Sequence, residues 1–273
     1  MIQKIKIDDI CFSHKLLQSL RDTGFAIITD HYLPSSLLEN NYEHWADFFA
    51  NEERKKAYLY GDDHAGFFPM ASETAKGFDV ADIKEFFHFY PSKIQDPSID
   101  GHTGKLYELL NLMALDVLMS IGEALPESIT QKLSMPLYEM VQHSNMTLLR
   151  ILHYPPTEDI PEGAVRAAEH EDINLITLLP AATETGLEVK DSNGNWIRVE
   201  TNPNDIIVNV GDMLQEATDG FLKSTPHRVV NVDMDKSRYS MPLFLHPRPS
   251  VKLSDAYTAE SYLDERLKEL GLK

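Results

Sequence analysis

Between His170 and Val210 the chain reads HEDINLITLLPAATETGLEVKDSNGNWIRVETNPNDIIVNV. Ile173–Leu179, Leu187–Lys190, Trp196–Val199 and Ile206–Asn209 are short runs rich in Ile, Leu and Val, separated by Pro, Gly, Asn and Asp. Each is too short for a helix, and branched side chains suit a pleated sheet. Asp191-Ser192-Asn193-Gly194 is a hairpin turn, because Asn-Gly accepts the positive φ angles such turns require. The same rhythm extends outward to Met146–Tyr154 on one side and to His227–Val232 and Arg238–His246 on the other. Short strands at this spacing predict an antiparallel sandwich or barrel.

The first half has a different texture. Ser13 caps a predicted helix over His14–Thr23 with Gly24 as its stop, and Phe25–Thr29 reads as a buried strand. Ser35 and Ser36 open a helix to about Ala50, and Gly104–Leu125 carries apolar residues at helical spacing. Tyr58–Asp79, rich in Gly, Asp and Pro, reads as a loop. Ile83–Tyr90 reads as a strand with Phe87 and Phe89 on one face and Phe86 and His88 on the other. Tyr257–Leu270 closes the chain as a helix, with Thr258 as cap and Gly271 as stop. The expectation is one domain over 1–273: a helix-rich part (1–145), a β core (146–250) and a C-terminal helix (251–273). The fold class is mainly β with flanking helices.

Composition narrows the function. With 25 basic against 43 acidic residues the formal charge is −18, so the surface repels phosphate backbones and anionic lipid. Nucleic acid and membrane are therefore poor partners, and a small molecule is the expected one. The single cysteine, Cys11, excludes an internal disulfide and a thiolate-rich metal site. A transition metal here is held by imidazole and carboxylate, which suits iron, manganese or zinc. Met1-Ile-Gln-Lys-Ile-Lys lacks a secretory signature, and the apolar stretch Leu106–Leu125 is interrupted by Glu108, Asp116 and Glu123. A soluble, cytoplasmic protein is expected.

His170-Glu171-Asp172 places an imidazole and a carboxylate two residues apart, on one side of an extended chain. Alone this is weak, since 11 histidines and 43 acidic residues produce such a tripeptide by chance. His227, 57 positions on, opens another predicted strand and offers a third ligand. Two histidines and one carboxylate on one face of an octahedral ion leave three positions open. Arg238-Tyr239-Ser240 then supplies a guanidinium and a hydroxyl on one strand face, a pair suited to a carboxylate.

In this order the motifs HEDINLITLLP (from His170), GDMLQEATDGFLKSTPHRVV (from Gly211) and RYSMPLFLHP (from Arg238) resemble the isopenicillin N synthase-like branch of the iron(II)/2-oxoglutarate oxygenases. GFAIITDHYLP, GFFP, DIKEFFHF and LLRILHYPP agree more loosely, so that the likeness spans most of the chain. The resemblance implies a double-stranded β-helix (jelly-roll) flanked by helices. It assigns Fe(II) to His170, Asp172 and His227, and the distal carboxylate of 2-oxoglutarate to Arg238 and Ser240. It also gives Tyr154 a hydrogen bond to the cosubstrate and turns Phe244 towards substrate. The implied reaction consumes dioxygen, releases succinate and CO2, and hydroxylates or desaturates a small organic molecule. An asparagine frequent two residues before the tyrosine is Leu152 here, so one cosubstrate contact is absent or replaced.

Three other readings share these residues: an oxidase of the same family that dispenses with 2-oxoglutarate, a non-catalytic metal or small-molecule binding jelly-roll, and a zinc hydrolase. Substrate-dependent oxygen uptake without 2-oxoglutarate marks the first, failure to consume oxygen the second, and higher activity with zinc the third. Phe67, Phe68, Phe86 and His88 are candidates for the pocket mouth, against the plainer role of core residues. His153 reads as structural, Glu169 and Glu171 as solvated, Lys84 with Glu85 as an ion pair, and Gly211-Asp212 as a turn that needs glycine geometry.

Overall fold

The computed structural model describes residues 1–73, 82–157 and 165–269. The helix-rich part contains β1 (Lys4–Lys6), α1 (Phe12–Thr23), β2 (Phe25–Thr29), α2 (Ser35–Phe49), α3 (Glu52–Ala57), β3 (Gly66–Phe68), β4 (Glu85–Phe89), α4 (Pro97–Ala124), α5 (Glu127–Thr130) and α6 (Leu137–Val141). The rest contains β5 (Leu148–Tyr154), β6 (Ala167–His170), β7 (Ile176–Pro180), β8 (Leu187–Lys190), β9 (Trp196–Arg198), β10 (Ile206–Val210), α7 (Asp212–Ala217), β11 (His227–Val229), β12 (Arg238–Ser240), β13 (Leu243–Leu245) and α8 (Ala259–Glu269). A nine-stranded sheet runs β1-β2-β10-β7-β13-β5-β4-β3, with β12 also paired to β5; a second, four-stranded sheet runs β6-β11-β8-β9.

Alternation along each strand decides what faces what. On the large sheet Ala26, Ile28, Phe87, Phe89, Leu149, Ile151, Leu178, Val208, Leu243 and Leu245 join Trp45, Phe48, Leu110 and Val117 in one core beneath the helices. Their neighbours Phe25, Ile27, Phe86, Leu152, Tyr154 and Ile207 turn the other way and meet Ala167, Leu187, Val189 and Val229 of the small sheet. Two facing sheets with helices on one outer side are the jelly-roll arrangement. The space between the sheets is where inward polar residues collect.

Differences from the expected elements have local causes. Helix α1 begins at Phe12 with Cys11 as N-cap, not at a Ser13 cap. Helix α4 starts at Pro97, earlier than the apolar periodicity, because Asp96 accepts from the Ser98 N–H and Pro97 occupies the first turn. The expected loop Tyr58–Asp79 contains strand β3, paired to β4, and its last part lies outside the described residues. Arg238–His246 is two strands rather than one, divided at Met241-Pro242. Leu270 and Gly271, the expected helix end and stop, also lie outside the described residues. No helix among the described residues is long and apolar enough to cross a membrane.

Candidate active site

Strands β6 and β11 are antiparallel with His170 and His227 directly opposite each other. Two residues past His170 the chain places Asp172 beside them. Asp172 Oδ1 lies 3.7 Å from His227 Nε2 and 4.0 Å from His170 Nε2, and one ligand atom from each residue falls within 4.8 Å of the others. His227 and Asp172 are buried, while the His170 side chain keeps 41% of its surface at the rim.

Each of the three groups is oriented by a partner. His170 Nδ1 meets the Ala168 carbonyl at 2.8 Å, and His227 Nδ1 meets the Thr225 carbonyl at 3.1 Å. A carbonyl only accepts, so both Nδ1 atoms carry the proton and both Nε2 lone pairs are free to bind an ion. Asp172 Oδ2 accepts from Thr177 Oγ1 at 2.6 Å and Asn209 Nδ2 at 2.8 Å, leaving Oδ1 towards the imidazoles. Asn174 Nδ2 in turn donates to Thr177 Oγ1 at 3.0 Å, which aims that hydroxyl's proton at Asp172. The crowded inner edge of the His170 ring, with His227 beside it, outweighs Asp172 and lowers its pKa, although the outer edge is exposed. Burial alone would raise the Asp172 carboxyl, but His227, His170 and its two donors bring it below the usual range. Two neutral imidazole nitrogens and one carboxylate oxygen, with no thiolate, fit a divalent first-row metal such as iron(II).

Register also fixes the second half of the site. In β12 and β5, Arg238 pairs with Tyr154 and Ser240 with Leu152. Arg238 is 2% exposed, its Cζ sits 5.1 Å from the Tyr154 ring centre, and its Nε donates to the Glu184 carbonyl at 3.0 Å. Its Nη1 is buried without a hydrogen-bond partner. A buried guanidinium nitrogen left unpaired is costly, so this position fits an incoming carboxylate.

The profile of the 2OG-Fe(II) oxygenase superfamily matches residues 144–247, and that of the N-terminal part of the non-haem dioxygenase in morphine synthesis matches 8–107. A proline hydroxylase of Petromyces alliaceus is 30% identical over 89% of this chain and 83% of its own. A solved protein of Shewanella oneidensis, provisionally assigned as an oxygenase, is 46% identical over 100% of this chain and 99% of its own, with a TM-score of 0.90. A full-length Neurospora crassa protein solved in complex with alpha-KG shares the fold at 22% identity, 98% and 96% coverage and a TM-score of 0.81. The chain belongs to the 2OG-Fe(II) oxygenase superfamily. It is an oxidoreductase of the dioxygenase class, built on a double-stranded β-helix, whose cofactors are iron(II) and 2-oxoglutarate.

The remaining expected residues of this oxygenase divide by strand face. Phe68, Phe86, His88 and Phe244 lie on the inner side with Leu152 and Tyr154. Phe67 does not: it packs with Phe48 and Phe49 under the helices, so it is core and not pocket mouth. His153 is structural as expected, held by Glu85 at 2.8 Å and Ser237 at 3.1 Å and stacked on Tyr239. Glu169 is paired with Lys190 at 2.7 Å rather than merely solvated. Lys84 and Glu85 do not pair with each other. Adjacent strand residues point to opposite faces, so Lys84 turns inward to Asp82 and Glu73, while Glu85 turns outward to Lys55 and His153. Thr177, Asn209 and Asn174, which orient Asp172, were not singled out from the sequence, although Thr177 and Asn209 are polar interruptions of apolar strands and Asn174 lies just before one.

Proposed function

We propose that this oxygenase uses iron(II) and 2-oxoglutarate to oxidise a small organic substrate, with His170, Asp172 and His227 holding the metal and Arg238, Ser240 and Tyr154 the oxoacid. The observation that carries the residue assignment is the unpaired Arg238 Nη1 in the same intersheet space as three converging ligand atoms. When bound, iron(II) and 2-oxoglutarate supply the oxidising chemistry, coupling reduction of dioxygen and decarboxylation to succinate with attack on a substrate C–H bond.

The chain's own residues do the placing. His170 and His227 present fixed tautomers, and Asp172 presents one oxygen because Thr177 and Asn209 occupy the other. Arg238 and the Ser240 hydroxyl neutralise and orient the far carboxylate of the oxoacid, and Tyr154 backs the guanidinium. Phe86, Leu152 and Phe244 exclude water from the substrate side and hold its reacting bond near the metal. Hydroxylation or desaturation of that bond follows from its placement.

Anaerobic titration of the iron(II) protein with 2-oxoglutarate tests this directly. A weak visible charge-transfer band of the chelate is the expected result. Arg238→Ala should weaken 2-oxoglutarate binding by about tenfold or more, since a charge-assisted, bidentate contact is lost. Asp172→Ala should release the iron. Unchanged binding in both variants would show the site to be elsewhere, and substrate-dependent oxygen uptake without succinate would exclude 2-oxoglutarate as cosubstrate.

A further inference from the structure

Arg150 lies on β5 two residues from Leu152 and four from Tyr154, and so shares their inward face. Its guanidinium is fixed from several directions. The rings of Phe86 and Phe244 lie 4.7 and 5.6 Å from its Cζ. Its Nε donates to His88 Nε2 at 2.9 Å, and His88 Nδ1 meets the His64 carbonyl at 2.9 Å. His88 therefore carries its proton on Nδ1 and acts as a neutral acceptor for Arg150, consistent with burial and the Arg150 charge pushing it well below the usual histidine range.

The two terminal nitrogens of Arg150 grip one carboxylate, Glu73, at 3.2 and 3.1 Å. Lys84 Nζ reaches the same carboxylate at 3.0 Å and Asp82 at 2.8 Å. Asp82 also accepts from the Ala168 amide of β6 at 3.0 Å, which ties the network to the strand carrying His170. Two cations thus converge on one carboxylate beside the rings of Phe86 and Phe244, in a network tied to the strand that carries His170.

Glu73 belongs to no strand or helix and keeps 24% of its side chain exposed, whereas Lys84 and Asp82 keep 9% and 6%. Of the two anions in the network it is the one that water reaches. Were it to leave without replacement, Lys84 and Arg150 would face only Asp82, two cations against one anion in a largely buried setting, which is strongly unfavourable. Only another anion restores the balance. A planar fork with two parallel donors suits an oxyanion, and the bidentate seat of Glu73 shows that a carboxylate fits this one.

We infer that Arg150, assisted by Lys84, is the specificity determinant for substrate: it takes the carboxylate of a small carboxylic acid whose apolar body lies against Phe86, Leu152 and Phe244, and Glu73 is the resident carboxylate that this group displaces. The inference rests on the functional reading above, since it places substrate in the same intersheet space.

The test uses the anaerobic iron(II) holoprotein with 2-oxoglutarate saturating, so that the Arg238 position is already filled. Three matched pairs are titrated by calorimetry and by perturbation of the chelate band: phenylacetate with phenylacetamide, hexanoate with hexanamide, and cyclohexanecarboxylate with its amide. Acids should bind at least about tenfold more tightly than their amides, the worth of a charge-assisted contact. Glu73→Gln removes the competing charge and should tighten acid binding severalfold without changing the amides. Arg150→Gln should abolish the preference while 2-oxoglutarate binds as before. Amides binding as well as acids in the wild type, or acid binding weakened by Glu73→Gln, would overturn the assignment. If Glu73→Gln fails to fold, the wild-type preference and Arg150→Gln still decide it. Should no chelate band form, the cosubstrate reading falls instead, and calorimetry on the metal-free chain still measures the acid preference.

Discussion

A carboxylate that offers one oxygen to a metal must dispose of the other, and in the role proposed for Asp172 the second oxygen is held by Thr177 and Asn209. Without those donors the carboxylate rotates, and its second oxygen becomes a buried acceptor with no partner. Asn209→Ala and Thr177→Val are each expected to lower iron(II) affinity by about 10- to 100-fold while the fold persists. Competition titration under argon against a metal-binding dye reads this, and wild-type affinity in both variants would reduce the two residues to core packing. The triad was legible in sequence because His170 and Asp172 are neighbours on an extended chain and the Arg238 segment followed in order. Asn209 was not, because β10 brings it to Asp172 from 37 positions away. Arg150 and Glu73, 77 positions apart, were invisible for the same reason. A side-chain hydrogen bond between a strand and a distant loop leaves no periodic trace.

At the scale of elements, the period of two did most of the predictive work. It separated Phe86 and His88 from Phe87 and Phe89 correctly, and applied to Lys84 and Glu85 it would have shown them to be on opposite faces. Strand β3 escaped because three residues among Gly, Asp and Pro carry no period; its pairing to β4 defines it. Gly211 shows how tightly the strands hold the site between them. A Cβ there would stand 2.1 Å from the Asn174 backbone oxygen and 2.5 Å from its Oδ1, so backbone must move. The Gly211 amide also donates to the Leu175 carbonyl at 3.0 Å, and the Asp212 amide to the Asp172 carbonyl at 2.7 Å. Gly211→Ala is therefore expected to cost about 2 kcal/mol or more through overpacking, a fall in Tm of about 6 °C. Because Asn174 orients Thr177, iron affinity should fall with it. A variant with unchanged Tm and unchanged metal binding would mean that the turn yields freely.

Across the whole molecule, helices α1, α2 and α4 share one core with β5, β7, β10 and β13, which leads us to propose that 1–273 is a single domain. One cooperative urea transition in the metal-free protein, with fluorescence and circular dichroism coincident, is the expected result; separate transitions for the helices and the sheets would divide it. The same titration repeated against pH isolates the charge network. Burial alone would raise the Glu73 carboxyl, but Arg150 and Lys84 outweigh it and bring it from 4.5 to about 2. A folded pKa below the unfolded one means the ionised form favours the native state, so its contribution is complete above about pH 4.5 and gone near pH 2. A shift of this size corresponds to a stabilisation on the order of 2–3 kcal/mol. Glu73→Gln should therefore be less stable than wild type at pH 7, and less than half of that difference should survive at pH 3. Other carboxylates titrate in both proteins, and relief of the −18 surface charge is common to both, so the difference between them reports Glu73. A gap that stays constant from pH 7 to pH 3 would mean that packing, not charge, holds Glu73 on Arg150, and would remove the electrostatic basis for its displacement by an acid.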